Sequence, residues 1–321
     1  MYCYSVIIPV YNRPDEIDEL LESLTIQTYS NFDVLVIEDG STKKCDHLIE
    51  KYSDKLKLTY YFKPNSGQGF SRNFGFEKAA GDYYVVFDSD CIIPADYFQI
   101  VDNHLSENHL DAWGGPDRAH QSFTSIQKAI SYSMTSIFTT GGIRGSKKRM
   151  GAFHPRSFNM GISAEIFEKT KGYKITRMGE DIEFSIRIIN SGFKTGLIED
   201  AYVYHKRRTS LSQFYKQLHF FGRARINVSR FFASEIKLVH LFPALFTIGF
   251  VSVWLLYFVF KPLFVVGVGF LAIYYLLIFI DALIKTKEIT VACTAIATSF
   301  TQLFAYGVGF LTEGWKKLIK G

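Results

Sequence analysis

The sequence predicts an α/β domain with a mostly parallel sheet flanked by helices, followed by an α-helical membrane region. Three observations carry this reading. Over residues 1–205, short apolar runs alternate with segments of helical periodicity, the signature of strand–helix–strand units. The ends of the predicted strands carry acidic or turn-forming residues, where parallel sheets place their ligands. After Lys237, three long runs without formal charge follow one another, each long enough to span a bilayer.

Taken in order, "YSVIIPV" reads as a buried strand. "RPDEIDELLESLTIQT" reads as a helix, with Pro14 suited to the first turn and Ile17, Leu20, Leu21 and Leu24 at helical spacing. "FDVLVIED", "KLTYYFK" and "DYYVVFD" are three further strands, joined by right-handed crossovers. The strand ends carry Pro9–Tyr11, Glu38–Asp39 and Asp88–Asp90. "KPNSGQGFSRNFGFEKAAG" is a Gly-rich loop leading to a helix expected to start near Ser71, with Arg72 at that start; its glycine spacing is not the dinucleotide fingerprint. In "RMGEDIEFSIRIINSG", Glu180 and Asp181 open a helix whose buried face is Ile182, Ile186 and Ile189, and Gly192 stops it.

Composition agrees with a globular domain attached to a membrane portion: 16% of residues are aromatic and mean hydropathy is slightly positive. The four cysteines have no C-x-x-C spacing, which favours reduced cytosolic thiols over a disulfide framework or a zinc site. The first apolar run lacks a basic leader and stops at "YNRP", so the N-terminal part is expected to stay in the cytosol. Net charge is +5, and from Lys206 to Lys237 eight basic residues face Glu235 alone. Beside apolar runs, this segment suits an anionic membrane face better than nucleic acid, and no nucleic-acid partner is expected. The expected division is a cytosolic α/β domain over 1–205, a basic amphipathic, interfacial segment over 206–237, and a membrane region with two to three transmembrane helices over 238–321. The runs are Leu238–Phe260, Leu263–Ile280 and Ile289–Thr312. Three spans from a cytosolic start would put "WKKLIKG" outside, against the positive-inside tendency, so the number of crossings stays open.

Asp88 and Asp90 flank one residue, so along extended chain their carboxylates share a side. Mg²⁺ and Mn²⁺ favour such oxygen ligands, often together with substrate phosphates. D-x-D alone is as readily a strand-end cap, and acids in a first helical turn usually complement the helix dipole. The order of the elements is more informative than any one of them.

"SVIIPVYNRPDEIDELLESLTIQTYSNFDVLVIEDGST", then "NSGQGFSRNFG", "FDSD", "NMGISAEIF" and "GEDIEFSIRIINSG", resembles family 2 glycosyltransferases with the GT-A fold over residues 3–205. The resemblance implies inverting transfer from a nucleotide-diphosphate sugar with Mg²⁺ or Mn²⁺. It implies that Pro9, Tyr11 and Asp39 hold the nucleoside, with Glu38 where an Asp is common. Arg72 would lie near the diphosphate, Asp88 near ribose or metal, and Asp90 on the metal. Asp181 corresponds to the general base, with Glu180 beside it, and His205 of "VYHKRR" to a residue that reaches the metal. "QLHFFGRAR" lacks the Trp of the processive Q-x-x-R-W element, so a non-processive transfer to a lipid-linked or polysaccharide acceptor is expected, in surface polysaccharide synthesis. Residues 141–161, rich in Gly, Arg and Lys, read equally as a mobile acceptor loop or as a basic surface loop. The expected location is the inner (cytoplasmic) membrane, multi-pass, with the catalytic domain facing the cytoplasm. Two rivals are a polyprenyl-phosphate glycosyltransferase and a catalytically silent, membrane-anchored nucleotide-sugar-binding module.

Overall fold

The computed structural model describes residues 1–120, 122–141, 153–233 and 236–320. The chain forms two compact units, one of residues 1–120 and 150–206, the other of 121–149 and 207–321.

In chain order the elements are β1 (Tyr4–Val10), α1 (Pro14–Thr25), β2 (Phe32–Asp39), α2 (His47–Tyr52), β3 (Leu58–Lys63), α3 (Gln68–Lys78), β4 (Tyr83–Phe87), β5 (Cys91–Ile92), α4 (Tyr97–Glu107), β6 (Ala112–Gly114) and β7 (Asp117–Arg118). The second unit then contributes α5 (Ser125–Thr135) and α6 (Ile137–Thr140). The first unit resumes with β8 (Asn159–Ser163), α7 (Ala164–Thr170), α8 (Glu180–Asn190), β9 (Thr195–Leu197) and β10 (Val203–His205). The remaining helices are α9 (Leu211–Val228), α10 (Phe242–Val259), α11 (Lys261–Thr286) and α12 (Ile289–Lys320).

The first unit is built on a seven-stranded sheet, β3-β2-β1-β4-β8-β6-β9. β1 to β4 run parallel, as the crossover pattern requires, while β8 is antiparallel to both β4 and β6. Alternation along β1 sends Tyr4, Val6 and Ile8 to one face and Ile7 to the other. On the first face α1 buries Ile17, Leu20, Leu21 and Leu24; on the second, Phe76 of α3 and Phe184 and Ile188 of α8 pack. Each such side chain contributes about 1.5–3 kcal/mol by leaving water, and together they fix the strand ends that carry the acids. A second, three-stranded sheet, β5-β10-β7, sets His205 opposite Cys91.

α3 begins at Gln68, earlier than the expected start near Ser71, because Gly67 takes φ +86 and turns the chain into the helix there. Arg72 therefore lies beyond the first turn of α3 and not at its start. In the second unit, α5 packs with α11 and α12 through Ala129, Tyr132, Ile278, Val291 and Ala295, so the described residues 122–141 belong with the C-terminal helices. Among the described residues, three helices are long and apolar enough to cross a membrane: Leu238–Val259, Lys261–Thr286 and Ile289–Ile319. Of the segment 141–161, residues 142–152 lie outside the described residues, as does Glu235 of the basic segment.

A Cβ on Gly161 of β8 would lie 2.1 Å from the fully buried Trp113 ring. Gly161→Ala is expected to destabilise the first unit by about 1–3 kcal/mol. A thermal unfolding curve of purified protein that matched the parent's would contradict this.

Candidate active site

The side chains singled out in the sequence sit around the carboxyl ends of β1, β2 and β4, in α3 and β10, and in the first turn of α8. At the end of β2, successive residues point to opposite faces, and the two acids divide accordingly. Asp39 accepts from Lys63 Nζ, from the Ser66 amide at 2.8 Å and from the Gly67 amide at 2.9 Å. Burial raises its pKa, but Lys63 and the Ser66 amide outweigh burial and hold it below the ordinary aspartate value. Glu38 points the other way and is fully buried. It accepts from Ser41 Oγ, from the Cys45 amide at 2.8 Å and from the Tyr60 hydroxyl at 3.4 Å. Ser41 Oγ in turn accepts from the Asn12 amide at 2.8 Å, and Asn12 Oδ1 accepts from the amides of Thr42 and Lys43. Glu38 thus ties the loop after β2 to the loop after β1, on the side away from Asp39. Pro9 is half-buried in β1, and Tyr11 stands exposed just beyond it.

The two acids after β4 also part company. Asp88 receives Arg72 Nη2 at 2.7 Å. Asp90, nearly buried, receives Arg13 Nη1 at 2.8 Å on one oxygen and faces His205 Nε2 at 3.1 Å on the other. The pairing of β10 with β5 delivers His205, whose ring stacks on Phe158 with centroids 5.1 Å apart. Two acids one residue apart are tolerated because each faces its own cation or imidazole.

Arg72 joins these strands to α8. It is 1% exposed, and its Nη1 lies 3.5 Å from Glu180 Oε1. Its Nε and Nη1 make no hydrogen bond among the described residues. Burial would discharge it, but Tyr173, Asp88 and Glu180 more than offset this, so its pKa is raised and it stays charged. Glu180 also accepts from Gln68 Nε2. Burial first, and then the neighbouring Asp181 carboxylate, push the Glu180 pKa up. Asp181 is more open and takes Arg156 Nη1 at 3.2 Å.

The sequence profile of glycosyl transferase family 2 matches residues 5–170, half of the chain. The chain belongs to glycosyl transferase family 2. The sheet and its flanking helices have the GT-A form. An uncharacterized glycosyltransferase of Rickettsia felis is 35% identical over 141 residues, covering 43% of this chain and 22% of that protein. The minor teichoic acid biosynthesis protein GgaB of Bacillus subtilis is 26% identical over 212 residues, covering 64% of this chain and 23% of its own length. The chain therefore matches less than a quarter of either relative. The fold resembles a mannosyltransferase of Pyrobaculum calidifontis, solved with GDP-Man and Mn²⁺, at TM-score 0.62 and 16% identity, covering 98% of this chain and 88% of that one.

In this family 2 glycosyltransferase, the ligand atoms of Asp90, Cys91 and His205 lie within 4.8 Å of one another. A carboxylate oxygen and an imidazole nitrogen suit Mg²⁺ or Mn²⁺, whereas a thiol suits softer metals, and Cys91 Sγ is turned to the Phe158 carbonyl at 3.5 Å. Asp90 and His205 fit the cation. Asp88, expected from sequence as a second ligand, is not in this group and faces Arg72 instead, because the chain turns between the two acids. Arg13, Lys63, Gln68 and Arg156 were not singled out in the sequence. Arg13 directly follows the first strand in "YNRP", and Lys63 closes "KLTYYFK", opposite Asp39 in the parallel register.

Because the folded pKa of Glu180 is raised, its stabilising contribution is complete below the ordinary glutamate value of about 4.3 and is lost as pH rises through the raised value. Glu180→Gln should flatten the fall in unfolding temperature across that window. Parallel pH profiles of variant and parent would contradict the assignment.

Proposed function

We propose that this chain is a membrane-associated, inverting, non-processive glycosyltransferase. In this reading it moves one sugar from a nucleotide-diphosphate sugar to a lipid-linked or polysaccharide acceptor in surface polysaccharide synthesis. The observation that carries the reading is Arg72, a buried guanidinium that bridges Asp88 and Glu180 and keeps two hydrogen-bond donors for an anion. The relation to GgaB supports a cell-surface polymer, and the three apolar helices support attachment to the cytoplasmic membrane with the catalytic unit in the cytoplasm.

Pro9, Tyr11 and Asp39 hold the nucleoside at the open end of the sheet, and Glu38 fixes the loops that shape this end. Asp88 orients Arg72 and accepts from the ribose, while the charge of Arg72 attracts the diphosphate. Asp90 and His205 hold Mg²⁺ or Mn²⁺. When bound, the cation supplies positive charge opposite the departing diphosphate. Asp181 takes the proton of the acceptor hydroxyl as that oxygen bonds to the anomeric carbon. The bond from that carbon to the diphosphate breaks on the opposite face, so the configuration inverts. Arg156 holds the Asp181 carboxylate in place, and Glu180 fixes Arg72 and Gln68.

Asp181→Asn is expected to lower sugar transfer by roughly 10²–10⁴-fold while donor binding, read by thermal shift, stays at the parent level. Transfer at the parent rate with the same product stereochemistry would defeat the base assignment. Chelation, or Asp90→Asn, should remove the donor-induced rise in unfolding temperature, and Mn²⁺ should restore it in the parent alone. A donor that stabilised the chelated parent equally well would disprove the role of Asp90.

A further inference from the structure

The three long apolar helices of the second unit differ in what surrounds them. Only 17% and 6% of the most apolar windows of the first two is buried, against 44% for α12. Along α10 and α11, Leu245, Val251, Leu255, Val266, Phe270 and Ile273 are exposed. Neither helix has a charged residue between its ends: none from Phe242 to Val259, and none from Pro262 to Ile280.

α12, by contrast, is wrapped by polar helices at its middle. Ala305 packs against Ile130 and Met134 of α5 and against Phe214 and Leu218 of α9. Thr298, Ser299 and Gln302 are buried in the same stretch, and Thr298 Oγ1 donates to the Ala129 carbonyl at 3.1 Å. α9 lies so close that a Cβ on Gly309 would meet the His219 carbonyl at 2.1 Å. Near the far end, buried Glu313 takes Arg223 Nε and Arg230 Nη2, each at 3.0 Å. Near the start, Glu288 takes Lys128 at 2.8 Å.

The middle of α12 decides its place. If α12 crossed a bilayer, its centre would lie about 15 Å from either edge of the hydrocarbon, and the α9 residues packed there would lie at the same depth. Lys216 sits between Phe214 and Leu218, and both Lys216 and Gln213 are exposed. Their polar ends would face acyl chains at a depth from which a lysine stem does not reach water. The hairpin has no such conflict. Its charges are Lys261 at the turn and Asp281 and Lys285 next to the start of α12, where the Tyr132 hydroxyl donates to Asp281 at 2.6 Å.

We propose that α12 does not cross the membrane: with α5 and α9 it lies along the lipid headgroup surface, and the α10–α11 hairpin is the part that enters the hydrocarbon. Both ends of α12 then share one face of the bilayer, and Lys216, Arg223 and Lys316 lie where anionic headgroups attract them. The bilayer is the occupant of the bare faces of α10 and α11, argued from their length and freedom from charge. The proposal rests on the chain being membrane-bound and is independent of the transfer reaction.

The test uses the full chain with the exposed Cys293 and the partly exposed Cys3 changed to Ser, and a single added cysteine at Lys287→Cys or Lys316→Cys. In sealed inverted membrane vesicles, whose cytoplasmic face is outward, a membrane-impermeant maleimide is expected to label both positions. Neither signal should gain on permeabilisation. Labelling of the two positions from opposite sides would overturn the proposal. Release of the protein by alkaline carbonate would overturn it separately, by removing the anchoring hairpin, and would leave transfer activity as an independent measurement. Should either variant fail to fold, short epitopes inserted after Lys287 and after Lys316, read by antibody before and after permeabilisation, give the same comparison.

Discussion

Arg72 carries a full positive charge and is 1% exposed, a placement that costs several kcal/mol unless anions are set around it. Asp88 and Glu180 meet that demand, and they come from elements far apart in sequence. Asp88 follows β4, Glu180 opens α8, and Arg72 itself is on α3. The backbone bends to allow the arrangement: Gly67 and Gly179, both at positive φ, start α3 and α8 where the guanidinium and the carboxylate can meet. Removing either acid would leave a buried charge short of a partner, so architecture and site share the same three side chains.

The remaining acids are held in the same way, each against its own partner. Asp39 has Lys63, Asp90 has Arg13 and His205, and Asp181 has Arg156. A donor bearing a diphosphate and a cation would bring charges of both signs into this set, and could exchange partners without leaving any group bare.

Much of this was legible in the sequence because the decisive elements are strongly periodic. β1 to β4 are runs of apolar residues, and α1 and α8 repeat Ile and Leu at helical spacing. The acids could be picked out because strand ends and helix starts are identifiable positions. Their partners could not. Lys63 meets Asp39 through the register between β2 and β3, and Arg13 meets Asp90 across two loops. A basic residue at a strand end leaves no periodic trace. Asp88 and Asp90 face separate partners, Arg72 and Arg13, where extended chain would set both on one side. Glu38 shows the same limit: its place beside Asp39 in sequence says nothing about facing Ser41 and Cys45.

The division of the chain also has a consequence for its synthesis. α5 leaves the ribosome before β8, α8 and β10, yet its buried residues Ala129 and Tyr132 pack against Ile278, Val291 and Ala295, which are made near the end. Until then α5 has an apolar face and no protein to cover it. The first unit can meanwhile close around its acids, since its last strand, β10, is complete before α10 begins. Assembly of the helical unit is therefore a late event, set by the position of one short helix in the order of translation.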